Sequence, residues 1–153
     1  MDNTFKTHNH KNCISTSLFE LEKFCRESDQ KLTKIRRKVL EILLESHKAL
    51  GAYEILDKLK SNGFPSQPPV AYRAINFLLK VGFVHKIEKF NTYIACSKPG
   101  KSHKPAFLIC RKCNLVSETI QKSSNHKIFL EAKNNNFCVE NSIIEIIGVC
   151  QNC

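Results

Sequence analysis

The sequence predicts an α+β chain in two units, the first helical and the second built on a small α/β sheet. Three patterns point there. Apolar stripes of helical period recur between residues 17 and 80. After Gly82 the period switches to two. Four of the eight cysteines then fall into two copies of one spacing, Cys110-Arg-Lys-Cys113 and Cys150-Gln-Asn-Cys153.

Residues 1–16 read as a loose, disordered polar tail, in which His8 and His10 offer only a weak grip on metal. Leu18, Leu21 and Phe24 predict a first helix over 17–28. A second opens at Thr33, a suitable N-cap, with Ile35, Val39, Ile42 and Leu43 on one face. Five of the eight residues in 31–38 are basic, Arg36 among them. Cations at a helix N-terminus oppose its macrodipole, so the run reads either as phosphate-binding or as a solvated face.

Ala52, Ile55, Leu56 and Leu59 mark a third helix, which Asn62-Gly63 ends. Pro68-Pro69 starts a fourth, where proline is tolerated in the first turn. Its inward face is Ala71, Ile75, Leu78 and Leu79, and Tyr72, Arg73, Asn76 and Lys80 lie on the flank and outer face. Strands over 83–88 and 92–96 then form a short hairpin. Helices followed by such a hairpin describe a winged helix-turn-helix, residues 17–96, whose fourth helix would enter the major groove. Residues 97–104 have linker composition. Residues 105–153 hold an apolar run over 106–110, an alternating run over 115–120, a helix near 123–134 and a last segment over 138–149. A core that small needs a metal staple and a partner copy.

The net charge of +10 favours a polyanionic partner. Both halves share it: 16 basic against 10 acidic residues up to Cys96, and 8 against 4 beyond. A polar start and the lack of any membrane-length apolar run predict a cytoplasmic protein with no membrane partner. In that reducing setting paired cysteines hold metal more often than they form disulfides. Two C-x2-C knuckles suit a structural zinc on Cys110, Cys113, Cys150 and Cys153, across a gap of 36 residues, 114 to 149. Cys13, Cys25 and Cys138 read as ordinary core or surface residues.

A second metal site is suggested by the hairpin. If Ile87 pairs with Ile94, His85 lies opposite Cys96 on one face. His103 and Glu118 would complete a tetrahedral set. Spacing alone leaves the bland reading open, in which His85 is a satisfied strand histidine and Glu118 a surface acid.

At this point the chain resembles a known family. Leu32-Thr33 with Arg36, Leu50-Gly51-Ala52-Tyr53-Glu54-Ile55, Pro68-Pro69-x-x-Tyr72-Arg73-Ala74, Gly82-Phe83-Val84-His85-Lys86-Ile87-Glu88 and Asn91-x-Tyr93-x-x-Cys96 are similar to the ferric uptake regulator superfamily. Phe107-Leu108-Ile109-Cys110-x-x-Cys113 and Gly148-x-Cys150-x-x-Cys153 are similar to its zinc uptake regulator branch, and the likeness spans 18–153 in order. The resemblance implies a homodimeric repressor that binds double-stranded operator DNA when loaded with zinc. It implies two zinc ions per subunit, one structural on the four cysteines and one regulatory on His85, Cys96, His103 and Glu118. Arg73 is the leading DNA contact, with Tyr72, Asn76, Lys80 and Arg36. Two departures stand out. Only His103 precedes Cys110 where the iron branch has a histidine cluster, which disfavours iron. Val70-Ala71 stands where the family usually has Thr-Val. The chain also ends at Cys153, without the histidine-rich tail of some relatives.

No enzyme is expected: the second site is closed by four protein ligands, whereas catalytic zinc keeps an open position. No Ser-His-Asp pattern, P-loop or dinucleotide loop occurs, so no small-molecule substrate is expected. The competing readings are a sensor of iron, manganese or peroxide, and a zinc-ribbon module that docks protein. Zinc affinity should fall in acid as the imidazoles take up protons.

Overall fold

The computed structural model describes residues 10–65, 67–100, 103–120 and 127–153. The first unit carries α1 (His10–Glu27), α2 (Lys34–Leu44), α3 (Ala52–Ser61), α4 (Pro68–Lys80), β1 (Val84–Ile87) and β2 (Thr92–Ala95). The second carries β3 (Pro105–Cys110), β4 (Val116–Ile120), α5 (Lys127–Asn134) and β5 (Ile144–Gly148). Among the described residues no helix is long and apolar enough to cross a membrane.

Local chemistry sets the helix ends. Thr33 caps α2, its hydroxyl accepting from the Arg36 amide at 3.3 Å. Glu54 reaches back to accept the Gly51 amide at 2.7 Å and so opens α3. Gly63 (φ +76°) and Gly82 (φ +78°) close α3 and α4 in the left-handed region. The Phe64 amide then returns to the Leu59 carbonyl, and the Phe83 amide to that of Leu78. The stripes of all four helices meet in one core that includes Leu21, Val39, Ile42, Ile55, Leu59, Ile75 and Leu78. Each such side chain contributes about 1.5–3 kcal/mol on burial.

The first helix is longer than its sequence suggests. Residues 10–16, expected in the tail, are helical, because Ile14 extends the Leu18–Leu21–Cys25 stripe and packs on the core. Their Asn, Ser and Thr content masked that stripe. The remainder of the expected tail, with His8, lies outside the described residues. Cys25 is a core residue, while Cys13 and Cys138 are exposed.

The hairpin register also differs. His85 pairs with Ile94 and Ile87 with Thr92, so His85 does not face Cys96 directly. The four-residue loop 88–91, with Asn91 at φ +50°, moves the pairing by two residues. A shift of two preserves the face, so His85 and Cys96 remain on the same side as diagonal neighbours. Cys96 donates its amide to Phe83 at 2.9 Å.

In the second sheet the order is β4-β3-β5, with β3–β4 antiparallel and β3–β5 parallel. The helix expected near 123–134 is present from Lys127; 121–126 lie outside the described residues. The last segment, 138–149, holds a strand over Ile144–Gly148. The two units touch through a second apolar cluster. Ile87 and Ile94 of the hairpin meet Phe107, Ile109 and Val116 of the sheet, with Ala49 alongside. Backbone adds to it: Lys48 bridges Leu115, and the Val116 amide donates to the His47 carbonyl at 2.9 Å.

Candidate metal centres and nucleic-acid face

The C-terminal knuckles close on each other because β5 runs parallel to β3 and carries Cys150 back beside Cys110. The four donor sulfurs of Cys110, Cys113, Cys150 and Cys153 all lie within 4.8 Å of one another. Cys110–Cys153 and Cys113–Cys150 are each 3.8 Å apart. A disulfide needs about 2.05 Å. Zinc–sulfur bonds of about 2.3 Å give a tetrahedral edge of about 3.8 Å. The spacing therefore fits a metal and not a bond. Amides of Cys113 and Cys150 point at the Cys110 sulfur, the latter at 3.3 Å, and pull that thiol well below its usual range. Crowding by the sulfurs of Cys150 and Cys113 pushes Cys153 up.

The second cluster forms where hairpin, linker and sheet converge. Donor atoms of His85, Cys96, His103 and Glu118 also lie within 4.8 Å of one another. Cys96 Sγ is 3.7 Å from His103 Nε2 and 3.9 Å from Glu118 Oε1. Zinc bound by one sulfur and one nitrogen or oxygen would set them about 3.6 Å apart. His103 Nε2 and Glu118 Oε1 are closer, at 2.6 Å, so they share a direct hydrogen bond that a metal would open. His85 Nε2 sits 3.2 Å from the same oxygen without hydrogen-bond geometry, and is buried and unsatisfied. A buried orphan nitrogen aimed at a carboxylate, thiol and imidazole is the mark of a missing ligand partner.

Neighbouring groups orient these donors. The Ser97 amide donates to Glu118 Oε2 at 2.7 Å, and the Lys98 amide to Cys96 Sγ at 3.4 Å. The His85 ring packs on Phe107, with centroids 5.6 Å apart. Burial pushes the Glu118 carboxyl up, but His85, the Ser97 amide and His103 outweigh it and hold it at about 2. Burial, then the charge of Glu118, pushes the Cys96 thiol up to about 12. Near neutral pH the Cys96 thiol therefore keeps its proton beside an ionised Glu118 carboxylate. A divalent cation would neutralise the site once Cys96 gives that proton up.

On α4, Tyr72, Arg73, Asn76 and Lys80 are all exposed, on the face opposite Ala71, Ala74, Ile75 and Leu78. Arg36 is placed differently from the other four. Its guanidinium stacks 3.7 Å over the Phe77 ring and donates to the Lys31 carbonyl, so its head is committed to packing α2 on α4. Ala71 is core and Val70 half-buried, so their departure from the usual Thr-Val falls largely on packing. Sequence reading missed the Ser97 and Lys98 amides, which carry no side-chain signal, and Phe107, which reads as ordinary core.

A model of the ferric uptake regulator family matches residues 27–147. The zinc uptake regulation protein of Escherichia coli K12 is 34% identical over 139 residues, 89% of this chain and 80% of that protein. A solved zinc uptake regulator in complex with zinc and DNA superposes with a TM-score of 0.83 at 33% identity, covering 92% of this chain and 94% of that one. A further solved regulator, XcZur, superposes in its holo form at 0.78, with 33% identity and coverage of 90% and 96%. Its apo form superposes at only 0.55, with 32% identity and coverage of 93% and 98%. The chain is thus more similar to the holo form of that regulator than to its apo form.

Proposed function

The chain belongs to the ferric uptake regulator family, and we propose that it acts there as a zinc-responsive transcriptional repressor that binds operator DNA as a zinc-loaded homodimer and controls zinc uptake genes. Its relatives are zinc uptake regulators, one of them solved with zinc and DNA. The observation that carries the reading is the convergence of His85 and Cys96 from the hairpin, His103 from the connection and Glu118 from the second sheet. A donor set with a thiolate and two imidazoles suits zinc over iron or manganese.

Zinc, when bound, would supply four-coordinate bonding that ties the reading unit to the pairing unit. The chain's own residues do the rest. Residues 17–96 present α4 to the major groove, with Arg73 contacting bases or phosphates beside Tyr72, Asn76 and Lys80. Residues 105–153 pair with a second copy. Exposed Ile128, Leu130, Phe137, Ile143 and Ile146 support that pairing, as does β5 at a sheet edge. Cys110, Cys113, Cys150 and Cys153 hold the second zinc of each subunit. Residues 97–104 act as the hinge. Two readers bind half-sites one DNA turn apart only when their separation is fixed. As a DNA-binding repressor the protein would work in the cytoplasm.

The decisive experiment is metal competition in an operator-binding assay. Zinc should restore binding to stripped protein at far lower free concentration than iron or manganese. Equal binding after stripping of the exchangeable metal would end the reading.

Two further outcomes are expected. Arg73→Ala should weaken operator binding about 10- to 100-fold, the size of one lost base contact. Zinc content should be unchanged; unaltered DNA affinity would remove Arg73 from the interface. Zinc loading of the second site near neutral pH should release about one proton, because the thiol at about 12 is protonated there and the carboxyl at about 2 is already ionised. Below the thiol's pKa, zinc affinity therefore rises with pH. Calorimetry in buffers of different ionisation enthalpy counts the proton; release of none would contradict Cys96 as a ligand.

A further inference from the structure

One row of the second sheet faces the hairpin. Glu118 of β4, Phe107 of β3 and Glu145 of β5 are direct cross-strand neighbours, so their side chains leave the same face. Glu118 enters the second metal cluster, and Phe107 enters the apolar cluster between the units. Glu145 does a third thing. Its Oε1 accepts the Glu88 amide at 2.6 Å and its Oε2 accepts the Lys89 amide at 3.0 Å. Those residues open the loop between β1 and β2.

We propose that Glu145 is a positioning residue: its carboxylate grips the hairpin loop and holds the DNA-reading unit in its zinc-bound orientation from the side away from the metal. The inference rests on the zinc-switch reading above. Two consecutive amides on one carboxylate form a bidentate, charge-assisted clamp. The Glu88 side chain does not oppose it, being paired with Lys86 at 2.9 Å. A hairpin held only at His85 and Cys96 could pivot about the metal. A grip at the opposite end of the strands removes that pivot. The loop carries exposed Lys89 and Phe90 at its tip, so the clamp also fixes where that tip lies.

Stabilising one arrangement raises affinity for whatever selects it, by linkage. Glu145→Ala in the full-length dimer should therefore raise the free zinc needed for half-maximal operator binding about tenfold, within the usual range of allosteric coupling. At saturating zinc its DNA affinity should return to within about twofold of the parent, since zinc then restores the arrangement. Structural zinc content should be unchanged. Glu145→Gln, nearly isosteric and with one acceptor oxygen left, should fall between, and it becomes the deciding variant if Glu145→Ala misfolds. Amide exchange at Glu88 and Lys89 should quicken in the zinc-loaded variant.

A variant that titrates with zinc like the parent and keeps both amides protected would overturn the proposal. So would a loss of DNA binding that saturating zinc does not repair, because that marks a DNA contact or a structural role. If the parent protein itself shows no zinc dependence, the switch reading fails. The exchange rates at Glu88 and Lys89 still decide whether Glu145 holds the loop.

Discussion

Replacing Cys113 with serine should unfold residues 105–153 and empty the four-sulfur site, while residues 17–96 stay folded. The asymmetry comes from where the cores lie. The main apolar cluster belongs to the four helices and the hairpin of the first unit. The second unit buries little of its own: Ala106, Phe107, Ile109, Cys110, Val116 and Ser117 are its buried residues among those described. Its helix α5 buries none. Phe107, Ile109 and Val116 face the first unit rather than a private core. A sheet so poorly covered depends on its staple, and structural zinc supplies about 10–16 kcal/mol of apparent folding free energy in small domains. That exceeds what this core could replace. Limited proteolysis with mass spectrometry, beside zinc analysis, checks the outcome. Protection of 105–153 without that zinc would show that the sulfurs are not the staple. Dimerisation should be lost with the unit that supports it.

The sequence carried the fold where chemistry leaves a periodic mark. Helices α2 to α4 declare themselves through stripes, Thr33, Pro68-Pro69 and the glycines that end them. The doubled C-x2-C spacing announces its cluster because four sulfurs in that pattern have few other uses. What stayed hidden lacks such marks. The start of α1 was obscured because Ile14 sits among polar residues. The hairpin register depends on loop geometry, and Asn91 in a left-handed conformation moved it by two residues. Charge alone leaves the run around Arg36 open between phosphate contact and solvated face, and the Phe77 ring beneath Arg36 is visible only once α2 and α4 pack. Glu145 carries no sequence signal at all, because its partners are backbone amides 56 and 57 residues away. Likewise, nothing in the sequence marks Ile87 and Ile94 as the residues that pack the two units together. For the second cluster, spacing left His85 and Glu118 open to bland readings, and the family resemblance supplied the expectation that the four donors converge, as they do here.

Cys96→Ser should leave the fold and dimer intact and one zinc per subunit in place, but the response to added zinc should be poor. Cys96 is buried beside His103 and Glu118, and its sulfur lies outside both apolar clusters, so serine costs little packing. What it removes is the one soft ligand of the set. Loss of a group that merely orients a ligand costs 10- to 100-fold in metal affinity. A ligand itself should cost at least the upper end, about a hundredfold. The switch is sensitive to that loss, because moving a population from 1:99 to 99:1 needs about 10⁴-fold tighter binding by the favoured state. A hundredfold deficit takes away half of that free-energy difference, and the population would stall near balance. The apolar contacts and the Glu145 clamp remain, so residual zinc-independent binding should persist rather than vanish. Anisotropy of a labelled operator at buffered free zinc measures the shift directly. A variant that responds like the parent would exclude Cys96 from the sensing site. An unfolded second unit would instead mean that the sensing and structural roles of the two clusters are exchanged, since only the structural metal should hold that unit together.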